Sequence, residues 1–207
     1  MNDTINPTNR LPLTNEDTVG PYYPICYDHD DRMDLTKSIV GQQFEPKGDK
    51  IILRGRYIDK NGDGAHGALI EFWQANAQGV FRTEDTESSP EIDPHFDGYT
   101  RYRTVTGDFE LKTIKSGTQL GRAPNITLTL FSDGISRLVT QVFFENEISN
   151  ETDPVLMSLP QDKRDKLIAR LVGEDDDNIP IYDIEIILAG EGETPFFDDF
   201  LALGWRD

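Results

Sequence analysis

The sequence predicts an all-β chain: an antiparallel β-sandwich core with one main short helix and an irregular N-terminal arm. Three observations carry this. From about Lys50 onward, short runs of β-branched and aromatic residues recur between Gly, Asp and Asn turns. Several runs alternate with a period of two, as in Ile181-Tyr-Asp-Ile-Glu-Ile, which is the pattern of a sheet with one buried face. Evenly spaced strands joined by tight turns also favour a sandwich over βαβ units.

The elements follow in order. Residues 1–49 form the arm; its first twelve residues carry neither a basic segment nor an apolar one, and no window approaches the ~18 consecutive apolar residues of a membrane span. A soluble, cytoplasmic chain is therefore expected. The strands are Ile51 to Tyr57, Leu69 to Gln74, Tyr99 to Val105, Phe109 to Ile114, Asn125 to Phe131, Leu138 to Phe143 and Ile181 to Leu188. A helix is expected near 160–171, with Pro160 in its first turn, Asp162 at its positive start, Arg170 at its end and Gly173 just beyond. The whole of 1–207 reads as a single domain, with 50–207 as the sandwich.

Composition excludes several functions. With 38 Asp and Glu against 20 Lys and Arg, the net charge is −18. Nucleic acid and anionic membranes bind clustered cations, so neither is an expected partner. Cys26 is the only cysteine, which rules out an intrachain disulfide and suits a reducing compartment. At this length roughly 70% of the unfolded chain's surface is buried on folding, so no structural metal is needed.

Apparent motifs mostly resolve into structure. The acidic clusters Asp28 to Asp34 and Glu174 to Asp177 read as solvated loops. Asp59-Lys-Asn61-Gly-Asp63-Gly64 opens like a calcium loop, but its twelfth position is Ile70 instead of a bidentate Glu, and strands flank it, so it reads as a turn. His29, His66 and His95 are never one to four residues apart, unlike paired ligands on one strand or helix. The Gly190 to Phe200 segment carries three Phe, which read as core or as an interface.

Seven segments together resemble the intradiol ring-cleavage dioxygenases. They are Thr18-Val-Gly-Pro-Tyr-Tyr, Ile70-Glu-Phe-Trp-Gln-Ala-Asn-Ala-Gln-Gly, Lys112-Thr-Ile-Lys-Ser-Gly, Ala123-Pro-Asn-Ile-Thr-Leu, Thr140-Gln-Val-Phe-Phe-Glu, Tyr182-Asp-Ile-Glu-Ile and Gly190-Glu-Gly-Glu-Thr-Pro-Phe-Phe-Asp. They stand in the family's order from about Thr18 to Asp198. The resemblance implies a β-sandwich and, in catalytic chains, a non-haem Fe(III) held by two Tyr and a His-x-His pair. Carried over, those four positions are Phe81, Gln119, Asn125 and Thr127. Phe81 has no donor atom, and the other three offer only neutral oxygens, which do not replace anionic tyrosinates on hard Fe(III).

The resemblance therefore implies an α-type chain that binds no iron, has no catalytic residue of its own, and pairs in a bacterial hetero-oligomer with an iron-bearing β-type chain acting on a dihydroxybenzoate and O₂. The implied pocket wall comprises Thr18, Gly20, Pro21 and Tyr22, together with Asp133, which stands where the family carries an Arg. A carboxylate there would disfavour a benzoate by about 1 kcal/mol. Arg122 aligns with a substrate-contacting Arg of catalytic chains and reads here as a packing or interface ion pair. Two further readings stand beside this one: a free-standing, metal-free sandwich acting as a binding or structural module, and an enzyme using another metal through His66 or His95.

Overall fold

In the computed structural model the described residues are 32–37, 45–87, 89–118, 121–132 and 136–197. Among them run eight strands: β1 (Lys50–Ile58), β2 (Leu69–Gln74), β3 (Tyr99–Arg103), β4 (Asp108–Ile114), β5 (Asn125–Ser132), β6 (Ser136–Phe144), β7 (Ile168–Glu174) and β8 (Pro180–Ile187). They hydrogen-bond in the order β3-β2-β5-β6-β7-β8-β1-β4. Most neighbours are antiparallel, while β1 pairs β8 and β6 pairs β7 in parallel. The parallel join of β6 to β7 spans only Phe143 with Ile168 and Phe144 with Ala169.

The period-two alternation does what it should. Ile126, Leu128 and Leu130 of β5 are fully buried, while Asn125, Thr127 and Thr129 between them are only partly covered. Inward residues of β2, β5 and β6 (Phe72, Ile126, Leu128, Val142) meet those of β1, β4 and β8 (Leu53, Leu111, Tyr182, Ile186) in one cluster. Each such side chain contributes about 1.5–3 kcal/mol through removal from water. Phe109 lies across Gly55 so closely that a Cβ there would fall 2.0 Å from the ring. Its ring also meets Phe72 edge-on, with centroids 5.2 Å apart. A glycine in the middle of β1 is thus what lets β4 seat an aromatic between the layers.

The expected helix near 160–171 is a correction. Helix α1 is Pro154–Ser158, α2 is only Gln161–Arg164, and a 3-10 turn carries the chain to Leu167 before β7 begins at Ile168. Pro160 does sit at the α2 N-cap. Ile168 to Val172 is as apolar as a helix face, but its backbone is claimed by β8 on one side and the end of β6 on the other. Those long-range ladders override a weak helical propensity.

The end strands β3 and β4 are bridged from the N-terminal side. Lys112 N–H donates to Met33 O and Leu35 N–H donates to Lys112 O, both at 2.8 Å. Thr100 Oγ1 donates to Arg32 O at 2.8 Å. The short segment therefore occupies part of the β4 edge, where unpaired backbone would otherwise invite another chain, and touches β3 through a side chain only. At the other end of the sequence, Phe197 N–H donates to Val139 O at 2.7 Å, which lays 195–197 beside β6. Phe196 packs on the main core and Phe197 on a smaller cluster around Phe143, the core reading of that segment.

Candidate functional site

The outer face of β2, β5 and β6 holds three of the four positions at which the family resemblance places metal ligands. Trp73, Thr127 and Gln141 stand in one cross-strand row, since Trp73 pairs with Thr127 and Thr127 with Gln141. All three alternate with buried core residues, so all three point outward. Phe81, on the loop after β2, rests against the Trp73 ring, with centroids 4.5 Å apart and planes tilted by 47°. Trp73 is still 42% exposed.

Thr127 belongs to a continuous hydrogen-bonded chain. Gln141 Nε2 donates to Thr127 Oγ1 at 3.2 Å. Arg122 Nη2 donates to Gln141 Oε1 at 2.6 Å, and Arg122 Nε donates to Asp153 Oδ2 at 2.8 Å. Asp153 is wholly buried. Its Oδ2 also accepts Ala123 N–H at 2.8 Å, while Oδ1 accepts Val155 N–H at 2.9 Å and Leu156 N–H at 3.2 Å as the N-cap of α1. This one carboxylate anchors the segment entering β5 to the start of a helix and orients Arg122. The pairing of Arg122 with Asp153 agrees with the expected packing ion pair.

Asn125 is likewise engaged: its N–H reaches Ser116 Oγ at 3.1 Å and its Nδ2 donates to Ala123 O at 2.7 Å. The donor set does not fit Fe(III). Phe81 presents carbon, the Asn125 amide and Thr127 hydroxyl are neutral, and Thr127 Oγ1 already accepts a proton from Gln141. Among the described residues no group of three or more His, Cys, Asp or Glu converges as a metal cage. His66 is exposed, and His95 lies in a separate loop with its N–H given to Asp93 Oδ1 at 2.9 Å. Thr18, Gly20, Pro21, Tyr22, Gln119 and Asp133 lie outside the described residues, as do Cys26 and His29.

Two conspicuous sequence features prove structural. Asp59 Oδ1 accepts the N–H groups of Asn61 at 2.7 Å and Asp63 at 3.0 Å, folding the calcium-like stretch into a turn. These bonds, the Asn61 one first, hold the Asp59 carboxyl below its usual pKa. In the Trp-Gln-Ala-Asn segment, buried Gln74 donates from Nε2 to Ile114 O at 2.8 Å and accepts Thr113 Oγ1 at 2.9 Å. Asn76 Oδ1 accepts Gln78 N–H and Val80 N–H, and its Nδ2 donates to Glu91 O. Gln141, Asp153, Gln74 and Asn76 were not anticipated in these roles. Only Asp153 carried a local signal, as a capping Asp before Pro154.

A separate open groove of about 900 Å³ lies over the other half of the sheet, lined by Arg54, Arg56, Asp108, Glu110, Asp183 and Glu185 among others. Its charges pair in cross-strand ladders, Arg54 with Glu110 at 2.7 Å and Arg56 with Asp108 at 3.5 Å. Half-exposed pairs of this kind are a solvated face, not a constellation that perturbs a reacting group.

A dioxygenase family profile matches residues 19–190. The chain is 34% identical over 195 residues to the protocatechuate 3,4-dioxygenase β chain of Burkholderia cepacia, covering 89% of this chain and 79% of that one. To the protocatechuate 3,4-dioxygenase α chain of Pseudomonas putida it is 32% identical over 206 residues, covering 93% and 99%. In fold it is similar to an intradiol ring-cleavage dioxygenase from Tetranychus urticae, with a TM-score of 0.56 at 18% identity, over 86% of this chain and 94% of that one. Sandwich, motif order and these relatives agree: the chain belongs to the intradiol ring-cleavage dioxygenase family.

Proposed function

We propose that this chain is the non-catalytic, α-type subunit of a protocatechuate 3,4-dioxygenase. It pairs in a bacterial cytoplasmic hetero-oligomer with an iron-bearing β-type chain and helps to wall that chain's active site. The complex converts 3,4-dihydroxybenzoate and O₂ to 3-carboxy-cis,cis-muconate in aromatic catabolism. One observation carries the reading: the positions matching the family's iron ligands hold Phe81, Gln119, Asn125 and Thr127, and Thr127 is tied into the Gln141, Arg122 and Asp153 chain. Overall identity does not separate the two chain types, at 34% to a β chain and 32% to an α chain. Side-chain chemistry at the ligand positions supports the α-type reading, since hard Fe(III) calls for anionic oxygen donors.

The test is metal analysis of the purified chain, followed by co-expression with a chain that carries the Tyr, Tyr and His-x-His set. The expected result is no stoichiometric iron in the isolated chain, co-purification of the pair, and 3,4-dihydroxybenzoate-dependent O₂ uptake by the complex alone. Stoichiometric iron with a purple-red tyrosinate absorption in the isolated chain would overturn it. A metal-free chain that never co-purifies would leave the free-standing module.

A further inference from the structure

Asn61 is the only Asn of the chain that precedes a Gly. It stands at the tip of the calcium-like turn, whose chemistry the proposed function leaves unused. Asn61 and Gly62 are both exposed. Gly62 has a φ of 85°, and a Cβ built on it would meet no atom within 4 Å. A backbone nitrogen whose own residue carries no side chain, with open space beside it, is free to swing onto the amide carbon of the residue before it.

Two hydrogen bonds oppose that swing. Gly62 N–H donates to Asp59 O, and Asn61 Nδ2 donates to Asp59 Oδ2, both at 3.1 Å. Each lies on the long side of the usual range and faces water, which takes over either partner at small cost. The reaction then needs water alone. Hydroxide removes the Gly62 amide proton, the nitrogen bonds to Asn61 Cγ, the Cγ–Nδ2 bond breaks, and the amide leaves as ammonia with a proton from water. Water next opens the five-membered imide at either carbonyl, leaving aspartate or, with the backbone rerouted through the side chain, isoaspartate.

The product does not fit the turn. Asp59 closes it by accepting the N–H groups of Asn61 and Asp63, and a carboxylate at position 61 would meet Asp59 Oδ2 where the amide now donates. Two like charges then come into contact. The extra backbone atom of isoaspartate has no slack to enter either: Asp59 N–H donates to Asp63 O at 2.8 Å, and a Cβ on Gly64 would fall on the Thr106 carbonyl oxygen. We propose that Asn61–Gly62 is a site of spontaneous deamidation and isoaspartate formation, and that conversion opens the turn between β1 and β2.

The experiment ages the full chain in mildly alkaline buffer, native and in urea, and follows each Asn-containing peptide by mass spectrometry, with an isoaspartate methyltransferase as the probe for isoaspartate. In the native chain the Asn61 amide should be lost faster than any other, with isoaspartate among the products and a rate that rises with pH. Gly62→Asn keeps a residue that tolerates positive φ but sets a side chain beside the closing ring, and should slow conversion at Asn61 by about tenfold. Asn61→Asp supplies the product charge directly, and its Asp63 N–H should lose protection against hydrogen exchange. An Asn61 amide that outlasts the others in the native chain, or that converts only in urea, would overturn the proposal. So would a G62N chain that converts as fast as wild type. Unchanged Asp63 protection in N61D would overturn the opening of the turn.

Discussion

Asp153 spends all of its accepting capacity on four donors, so truncating it does more than delete one contact. Asp153→Ala should destabilise the chain by about 3–5 kcal/mol, the range for breaking a buried ion pair and stranding its partner. Urea unfolding measures this, and a loss near the ~0.5 kcal/mol of a surface substitution would refute the anchoring role. Gln74→Leu should lose about 1–3 kcal/mol, because Ile114 O and Thr113 Oγ1 are left with unmet hydrogen bonds in the interior. Neither role was legible in the sequence beyond the Asp-Pro capping signal. A Gln in an apolar strand declares that it is buried only when the partners it satisfies, here about 40 positions away, are brought beside it.

Strands were legible because alternation is a local property, and all seven expected runs begin and end within two residues of observed strands. Gly55 in β1 tests how tightly the layers close: Gly55→Ala should cost about 1–3 kcal/mol by driving a methyl group into the Phe109 ring. Lys115, just past β4, ties three strands together. Its Nζ forms an ion pair with Glu147 and lies 5.6 Å from the Phe144 ring centroid and 5.5 Å from that of Tyr182. Burial pushes the amine's pKa down, but the hydrogen bond and charge of Glu147, with help from Tyr182, more than reverse this and raise it above 10.5. A raised folded-state pKa means the stabilisation is fully present below the unfolded value and lost as pH climbs through the folded one. The difference in thermal midpoint between wild type and Lys115→Met should therefore be constant at neutral pH and shrink above about pH 10.5. A difference that grows there would contradict the sign.

A net charge of −18 on 207 residues makes the folded chain repel itself. Moderate salt should accordingly raise its thermal midpoint, and a midpoint that falls steadily with sodium chloride would contradict this. The same excess bears on the proposed complex. A benzoate must be attracted by something, and the pocket's cationic wall is then expected chiefly from the β-type chain. Activity of the complex that rises with salt would mark much of the acid surface as salt-adapted; a flat response would count against that.

Periodicity and turn residues are carried by neighbours along the chain, and they were enough for the all-β class and most strands, while the reading of Phe81, Gln119, Asn125 and Thr127 as a set without iron-type donors rested on the family resemblance. Contacts between distant residues decided the remainder. The stretch Ile168 to Glu174 is a strand because β8 and the end of β6 supply its hydrogen bonds, and no local pattern encodes partners that arrive from elsewhere. For the same reason, only the assembled fold could show that Thr127 is already bound to Gln141, that Arg122 is committed to a buried Asp153, and that the Glu145 carboxylate accepts the Leu171 N–H.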